Sequence, residues 1–332
     1  MTHSRLIRYA DLIPCRNAFV DSRSPGSDAK ENFTLIGPGV SENPNQHVHI
    51  PEPHGFNIGG ARQPPRCLNS QHSHETAEVF VAHSGQWRMI FGVNADEGEA
   101  RMGPGDVISI PTRMFRGFEN IGTETGFLFA VLGGDNPGKV TWAPSVFDLA
   151  ARHGLVLLEG GKLVDTIAGE QVPAGATLQR APDAAEIARL ATPPAEKLAG
   201  CVRTPAQFAP NPASPLAGPG VTESAIITPT ATADGFPPGP IAGWWAHGFN
   251  LRHLAMESGA RVAAHLRDEP EVIFVHAGVL AVTLPDGDVL MGPGDTLTVP
   301  VGAARSFRAT SSAAVAAYVV RGGDSPAAPR FI

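Results

Sequence analysis

The sequence is short of charge, of tyrosine and of cysteine. Only 17% of its 332 residues are charged and only 2 are Tyr. Acidic side chains outnumber basic ones, 32 to 25, for a formal charge of −7. That balance offers no basic footprint for nucleic acid or an anionic membrane surface, so neither is expected as a partner. The three cysteines, Cys15, Cys67 and Cys201, lack metal-type or disulfide-type spacing and read as reduced thiols of a cytoplasmic protein. No apolar run approaches the roughly 18 residues of a membrane span. The opening Met1-Thr2-His3-Ser4-Arg5 leads into mixed polar and apolar residues rather than a signal-peptide core. What the chain does have is glycine (37), proline (31) and 42% hydrophobic residues. Its length fits two domains of about 150 residues each, and the composition predicts many turns and short strands.

The chain repeats itself. His54-Gly55-Phe56-Asn57 recurs as His247-Gly248-Phe249-Asn250, 193 residues later. At the same offset His72 matches His265, Glu78 matches Glu271 and Gly85 matches Gly278. After a four-residue deletion, Met102-Gly103-Pro104-Gly105-Asp106 matches Met291-Gly292-Pro293-Gly294-Asp295. Pro111, Arg116 and Phe118 then pair with Pro300, Arg305 and Phe307, and Gly133-Gly134-Asp135 with Gly322-Gly323-Asp324. So many matches in one order imply a duplicated unit. Within each unit, apolar stretches of strand length alternate with Gly and Pro turns, as in Val79–Ala82 before Ser84-Gly85 and Val107–Ile110 before Pro111. This spacing predicts an all-β jelly roll or barrel in each half. The expected organisation is an N-terminal arm over 1–30, a first barrel over 31–140, a linker with short helices over 141–214 and a second barrel over 215–332. The helices are expected at Pro144 to His153 and Ala184 to Leu190.

One cluster carries chemistry. His72, His74 and Glu78 share strand parity, so all three can face one barrel interior. Two imidazoles and a carboxylate on one face make a candidate facial triad for a divalent metal, with coordination positions left open. Arg116 stands close by in the repeat. A guanidinium has no lone pair for a metal. At about 5 Å from a dication it costs on the order of 6–7 kcal/mol at an effective dielectric near 20. Arg116 therefore either orients an anionic substrate beside the metal by a charge-assisted hydrogen bond, or pairs with Glu78 in a metal-free site. In the second unit His265 and Glu271 persist, but Arg267 and Arg305 replace the other ligand places. No dication is expected there, and Glu271 is expected in an ion pair with Arg267 or Arg305, or within a small-anion pocket.

The spacing His72-x-His74-x3-Glu78-x6-Gly85, followed by Gly105-x5-Pro111, resembles the signature of the cupin superfamily. Arg113 and Arg116 stand where that pattern carries glycine and histidine, and Asn120 fits its last place. The resemblance covers both repeats and implies two tandem cupin (jelly-roll) barrels joined by a short helical linker. Two-barrel cupins with one metal site resemble aromatic ring-cleaving dioxygenases of the hydroquinone and gentisate type. By that resemblance, His72, His74 and Glu78 would hold Fe(II) or another divalent metal. Arg116 would be the catalytic group orienting an anionic or phenolic aromatic substrate for reaction with O2. The implied partners are that substrate, a second copy of the chain and a second cupin subunit. Two other readings stand beside this one: a metal-independent bicupin that binds or isomerises a small anionic ligand, and a non-catalytic subunit of a two-chain cupin dioxygenase.

Overall fold

The computed structural model describes residues 4–241 and 245–332. The first three residues, part of the opening read above as lacking a signal-peptide core, lie outside the described residues, as do 242–244. Two compact units emerge. One takes residues 13–53 and 57–202; the other takes the described residues among 4–12, 54–56 and 203–332.

In the first unit, one sheet places Val107–Ile110, Glu78–Ser84, Gly126–Gly133, Phe56–Gln63 and Glu31–Ile36 side by side. A second sheet runs Thr141–Trp142, Leu68–Ser73, Arg116–Asn120, Trp87–Phe91 and Glu99–Met102. The second unit repeats both orders. Thr296–Val299, Glu271–Ala277, Val315–Gly322, Phe249–Met256 and Val221–Ile227 form one sheet. Arg261–Leu266, Arg305–Ala309, Leu280–Leu284 and Gly287–Met291 are neighbours in the other. The sequence repeat is thus a repeat of topology, and the fold is all-β: two tandem jelly-roll barrels. Alternation explains the cores. Trp87, Met89 and Phe91 point inward and are almost fully buried, as are Leu280, Val282 and Leu284 on the matching strand.

The segment expected as a linker contributes much to the first unit. Its helix Pro144–Arg152 starts with proline at the first helical position, where no N–H is needed. Val146 and Ala150 of this helix join Phe115, Trp142, Leu155, Leu157 and Leu163 in a second apolar cluster, together with Val20 from the expected arm. Short helices also form at Ala184–Ala188 and Ala195–Ala199. The arm divides its partners: Leu6–Ile7 pairs with Thr296–Val299, whereas Cys15 bridges to Asn32 in the first unit. Among the described residues, no helix is long and apolar enough to cross a membrane.

The repeated Asn has a structural task. Asn57 donates to the Gly134 carbonyl (2.6 Å) and accepts from the Gly39 N–H (2.9 Å), tying two glycine turns to one strand. Asn250 donates likewise to the Gly323 carbonyl at 3.0 Å.

Candidate metal centre

The strand Leu68–Ser73 brings His72 opposite Arg116 on one side and opposite Trp142 on the other. A register shift between Arg116 and Phe118 bulges the neighbouring strand at Gly117. A Cβ there would lie 2.6 Å from the Asn69 carbonyl oxygen and 2.0 Å from Gln71 Oε1, so only glycine lets the strands approach. The bulge re-aims Arg116 toward the barrel interior. After Ser73 the chain crosses to the other sheet, and Glu78 opens the strand Glu78–Ser84. The three candidate ligands therefore converge by a sheet-to-sheet crossing, not by alternation along one strand as the parity argument assumed.

They do converge. The ligand atoms of His72, His74 and Glu78 lie within 4.8 Å of one another, and all three residues are buried. His72 Nδ1 donates to the Ser70 carbonyl at 2.7 Å, which fixes the proton on Nδ1 and leaves Nε2 with its lone pair. His74 Nε2 sits 3.6 Å from Glu78 Oε1, too far for a hydrogen bond. That spacing is near the separation of about 3 Å expected for two atoms bound to one cation at ~2.1 Å each. His74 Nδ1 is buried and has no hydrogen-bond partner among the described residues. Burial first, and the nearby Arg116 charge second, hold both imidazoles well below their ordinary pKa, so both are neutral and available as ligands.

Arg116 is buried and divides its donors. Nη2 bonds Glu78 Oε2 and Nη1 reaches the His72 carbonyl at 3.2 Å, while Nε has no partner among the described residues. The metal-free ion pair weighed from the sequence is thus present, but it uses one carboxylate oxygen only. Glu78 Oε1 remains turned toward His74. A cation held by His72 Nε2, His74 Nε2 and Glu78 Oε1 would have the carboxylate between it and the guanidinium. That shared anion lowers the repulsion that a bare Arg–metal contact would carry. The residues present fit a divalent metal on these terms.

Several residues around the site escape sequence reasoning. Trp142 packs its ring 5.2 Å from His72 and donates Nε1–H to Glu42 at 2.6 Å. Glu42 also accepts from the Val20 N–H at 2.7 Å, and burial pushes its carboxyl up to about 8. Beneath His72, Asp21 accepts from the Ser70 N–H at 3.0 Å and pairs with buried Lys30, which donates to Asn69 at 2.9 Å. The only available signal was a buried-type tryptophan after a glycine-rich turn; nothing local links Glu42 or Lys30 to the motif.

A cavity of about 70 Å³ adjoins His72, His74 and Glu78, bounded by Phe80, Phe118 and Trp142. Val40, His74, Val140 and Trp142 also line a larger cleft of about 1160 Å³, whose rim carries Arg113, Lys139, Arg180 and Arg189. Arg113, at the place where the cupin pattern carries glycine, holds φ at 60° and donates its N–H to the His74 carbonyl at 2.9 Å.

In the second barrel no equivalent ligand set exists among the described residues. Glu271 is met by Arg321 Nε at 2.8 Å, Arg267 Nε at 3.3 Å and Arg305 Nε at 3.5 Å. The expected partners are there, but the shortest bond comes from Arg321, which the repeat did not single out.

A search of curated protein sequences matched none of them. Solved structures match over the whole chain. A deletion mutant of Bacillus subtilis oxalate decarboxylase superposes with a TM-score of 0.60 at 11% identity, covering 100% of this chain and 80% of that one. The same enzyme at pH 4.6 gives 0.59 at 11%, covering 100% and 79%. A further structure concerns the Mn(II) centres of that decarboxylase (0.59, 11%, 100% and 80%). At such identity the likeness speaks for the fold alone. Two family models match the sequence, "Cupin" over residues 58–153 and "Cupin domain" over residues 252–321, and with both halves of the repeat so matched, the chain belongs to the cupins as a two-domain member, a bicupin.

Proposed function

We propose that the first barrel is the active site of a divalent-metal-dependent enzyme acting on a small anionic substrate. The observation that carries this reading is the set His72, His74 and Glu78: three buried groups with ligand atoms within 4.8 Å, beside a small cavity that shares wall residues with a larger cleft. When bound there, the metal would supply Lewis-acid polarisation and, if it is iron, electron transfer. The protein's own part follows from its geometry. Ser70 orients His72, and Arg116, which lines neither the cavity nor the cleft, steadies Glu78 by its second oxygen. Trp142, Val40 and Val140 exclude water from one side of the site.

The finer reading is Fe(II)-dependent cleavage of a dihydroxylated aromatic ring with O2. It is supported by the apolar walls of the cleft, Trp142, Phe147, Val140, Leu157 and Leu190, whose edges carry both the cations Arg113 and Lys139 and the acids Glu75, Glu159 and Glu186. Apolar walls of this kind suit an aromatic ring better than a small dicarboxylate such as the oxalate of the structural neighbours' title enzyme. Manganese, the metal in one neighbour's title, would also suit imidazole and carboxylate donors of this kind.

The Arg116–Glu78 pair favours a second reading, a metal-independent bicupin that binds a small anion. One experiment separates the two. Protein purified without chelators is assayed for metal by elemental analysis, then for O2 uptake with gentisate- and hydroquinone-type substrates and for CO2 release from oxalate. About one metal per chain with O2 uptake supports ring cleavage; metal with CO2 release supports decarboxylation; no metal after anaerobic Fe(II) and Mn(II) titration overturns the metal site itself.

A further inference from the structure

The second barrel encloses a knot of arginines. The side chains of Arg252, Arg267, Arg305 and Arg321 have no solvent exposure, and neither do those of Glu223, Asp234 and Glu271. Glu269, 11% exposed, is a fourth acid and meets Arg267 Nη1 at 3.1 Å. Strand register assembles the knot. His265 lies opposite Arg305, Glu271 lies opposite Arg321, and Arg267 follows His265 by two.

The donors outnumber what the protein offers them. Arg321 donates Nε to Glu271 and Nη1 to Glu223, both at 2.8 Å. Arg267 uses Nη1 on Glu269 and the Ala327 carbonyl, and Arg305 uses Nη2 on the Pro300 carbonyl at 3.5 Å. Arg267 Nε and Nη2, Arg305 Nε and Nη1, and Arg321 Nη2 are shut off from solvent with no hydrogen-bond partner among the described residues. Arg267 Nε and Arg305 Nε lie 3.3 and 3.5 Å from Glu271 without hydrogen-bond alignment. Arg252 Nε and Nη1 share this condition, and so do three acceptors, Glu271 Oε1, Asp234 Oδ2 and His265 Nε2. His265 Nε2 is an acceptor because Nδ1 donates to the Ala263 carbonyl at 3.0 Å. Buried polar groups in folded proteins are almost always paired, so this many orphans beside Glu271 call for a partner that the described residues do not supply.

We propose that the second barrel binds a small planar monoanion, bicarbonate by its chemistry, against Arg267, Arg305 and His265. With Glu269 counted, four acids balance the four guanidinium groups, but Arg305 makes no hydrogen bond to any of them and bonds only the Pro300 carbonyl, so its donors are the ones an anion would meet. Guanidinium forks present paired N–H donors that match two oxygens on one planar centre. The remaining hydroxyl of bicarbonate donates to His265 Nε2, which formate and chloride cannot do. The place that holds candidate metal ligands in the first barrel thus holds an anion in the second. This assignment stands on its own donors and does not depend on the chemistry of the first barrel.

The test is calorimetric titration of full-length, metal-free protein with sodium bicarbonate, with sodium formate and sodium chloride as parallel titrants. Saturable bicarbonate binding is expected, with formate and chloride at least about tenfold weaker, a difference of 1.4 kcal/mol. Arg305→Gln should abolish it, and Arg116→Gln should leave it unchanged. Absence of saturable bicarbonate binding overturns the proposal, and so does binding lost in Arg116→Gln but kept in Arg305→Gln. If Arg305→Gln does not fold, a crystal structure of the unaltered protein grown in bicarbonate decides: planar density on Arg267 and Arg305 supports the site, and water alone refutes it.

Discussion

Arg116 holds one oxygen of Glu78 and the main-chain carbonyl of His72 with the same guanidinium, so a single positive charge braces two of the three candidate metal ligands. This arrangement keeps the apo site together. Removing one member of a buried ion pair costs about 3–5 kcal/mol because the other charge is left uncompensated. Arg116→Met should therefore lower the melting temperature of the metal-free protein sharply. A divalent cation should restore it, because Glu78 is then paired again and the opposing charge is gone. Arg116→His adds a ligand as well and should raise metal affinity by about a hundredfold, near 2.7 kcal/mol, while turnover falls because an open coordination position is filled. Metal titrations followed by calorimetry measure both. Equal affinity in the parent and both variants would mean that Arg116 does not oppose the ion.

The two barrels should respond differently to loss of a motif histidine. Loss of groups that merely support a ligand lowers metal affinity by about 10–100-fold, and loss of a ligand itself should cost more. His74→Ala is expected to strip the first barrel of metal. His265→Ala should leave metal content at the parent level, because Arg267 and Arg305 flank that histidine and exclude a dication. Elemental analysis of the purified variants gives the answer directly, and full metal in His74→Ala would remove that residue from the ligand set.

How far the sequence could be read depended on where its information lay. The duplication, the turn glycines and the His72, His74 and Glu78 set were legible because short motifs recur at fixed spacing, and the doubled sheets follow from them. The surroundings of the site were not. Trp142 and Glu42 meet across 100 residues of chain, and Asp21 reaches Ser70 from the N-terminal segment. Such contacts leave no period to detect. The segment from residue 141 onward looked like a linker because its helices are short and its composition is rich in Pro and Ala, yet it closes an apolar cluster and walls the cleft. One missed signal was visible in principle. Arg321 interrupts the apolar strand Val315–Gly322, where the first repeat carries Leu132, and a charge at such a place has a buried partner far more often than not.

Glu42 makes stability depend on pH. Burial raises its folded pKa to about 8, against the contrary pull of the Trp142 and Val20 hydrogen bonds and of Lys30. A raised acid is favoured in its protonated form. Its contribution to stability is full below the unfolded value near 4.5, declines as the pH rises above it, and is lost by about pH 8. Over that window the parent should lose on the order of a few kcal/mol relative to Glu42→Gln, whose side chain cannot ionise. Urea denaturation of both proteins at a series of pH values reports the difference. A parent-to-variant gap that stays constant from acid to mildly alkaline pH would show that Glu42 does not titrate in this range.

The motif glycines Gly85 and Gly278 supply the last expectation. Both adopt left-handed backbone, with φ of 86° and 76°, at the turn that follows the Glu-bearing strand in each barrel. The turn also presses against the opposite strand. A Cβ on Gly85 would lie 2.7 Å from Gly126 Cα, and one on Gly278 would lie 2.5 Å from the Ala314 carbonyl oxygen. Neither neighbour is a flexible side chain, so the barrel wall itself would have to move. Gly259 separates the two effects: its φ is 79°, but a Cβ there meets nothing within 4 Å. Left-handed strain alone costs roughly 1–2 kcal/mol, and overpacking adds about 1–3 kcal/mol. Gly259→Ala should therefore show the strain only, while Gly85→Ala and Gly278→Ala should each lose about 3 kcal/mol or more in chemical denaturation. Equal losses at the three positions would mean that backbone conformation, not close approach of the two strands, is what requires glycine in the motif.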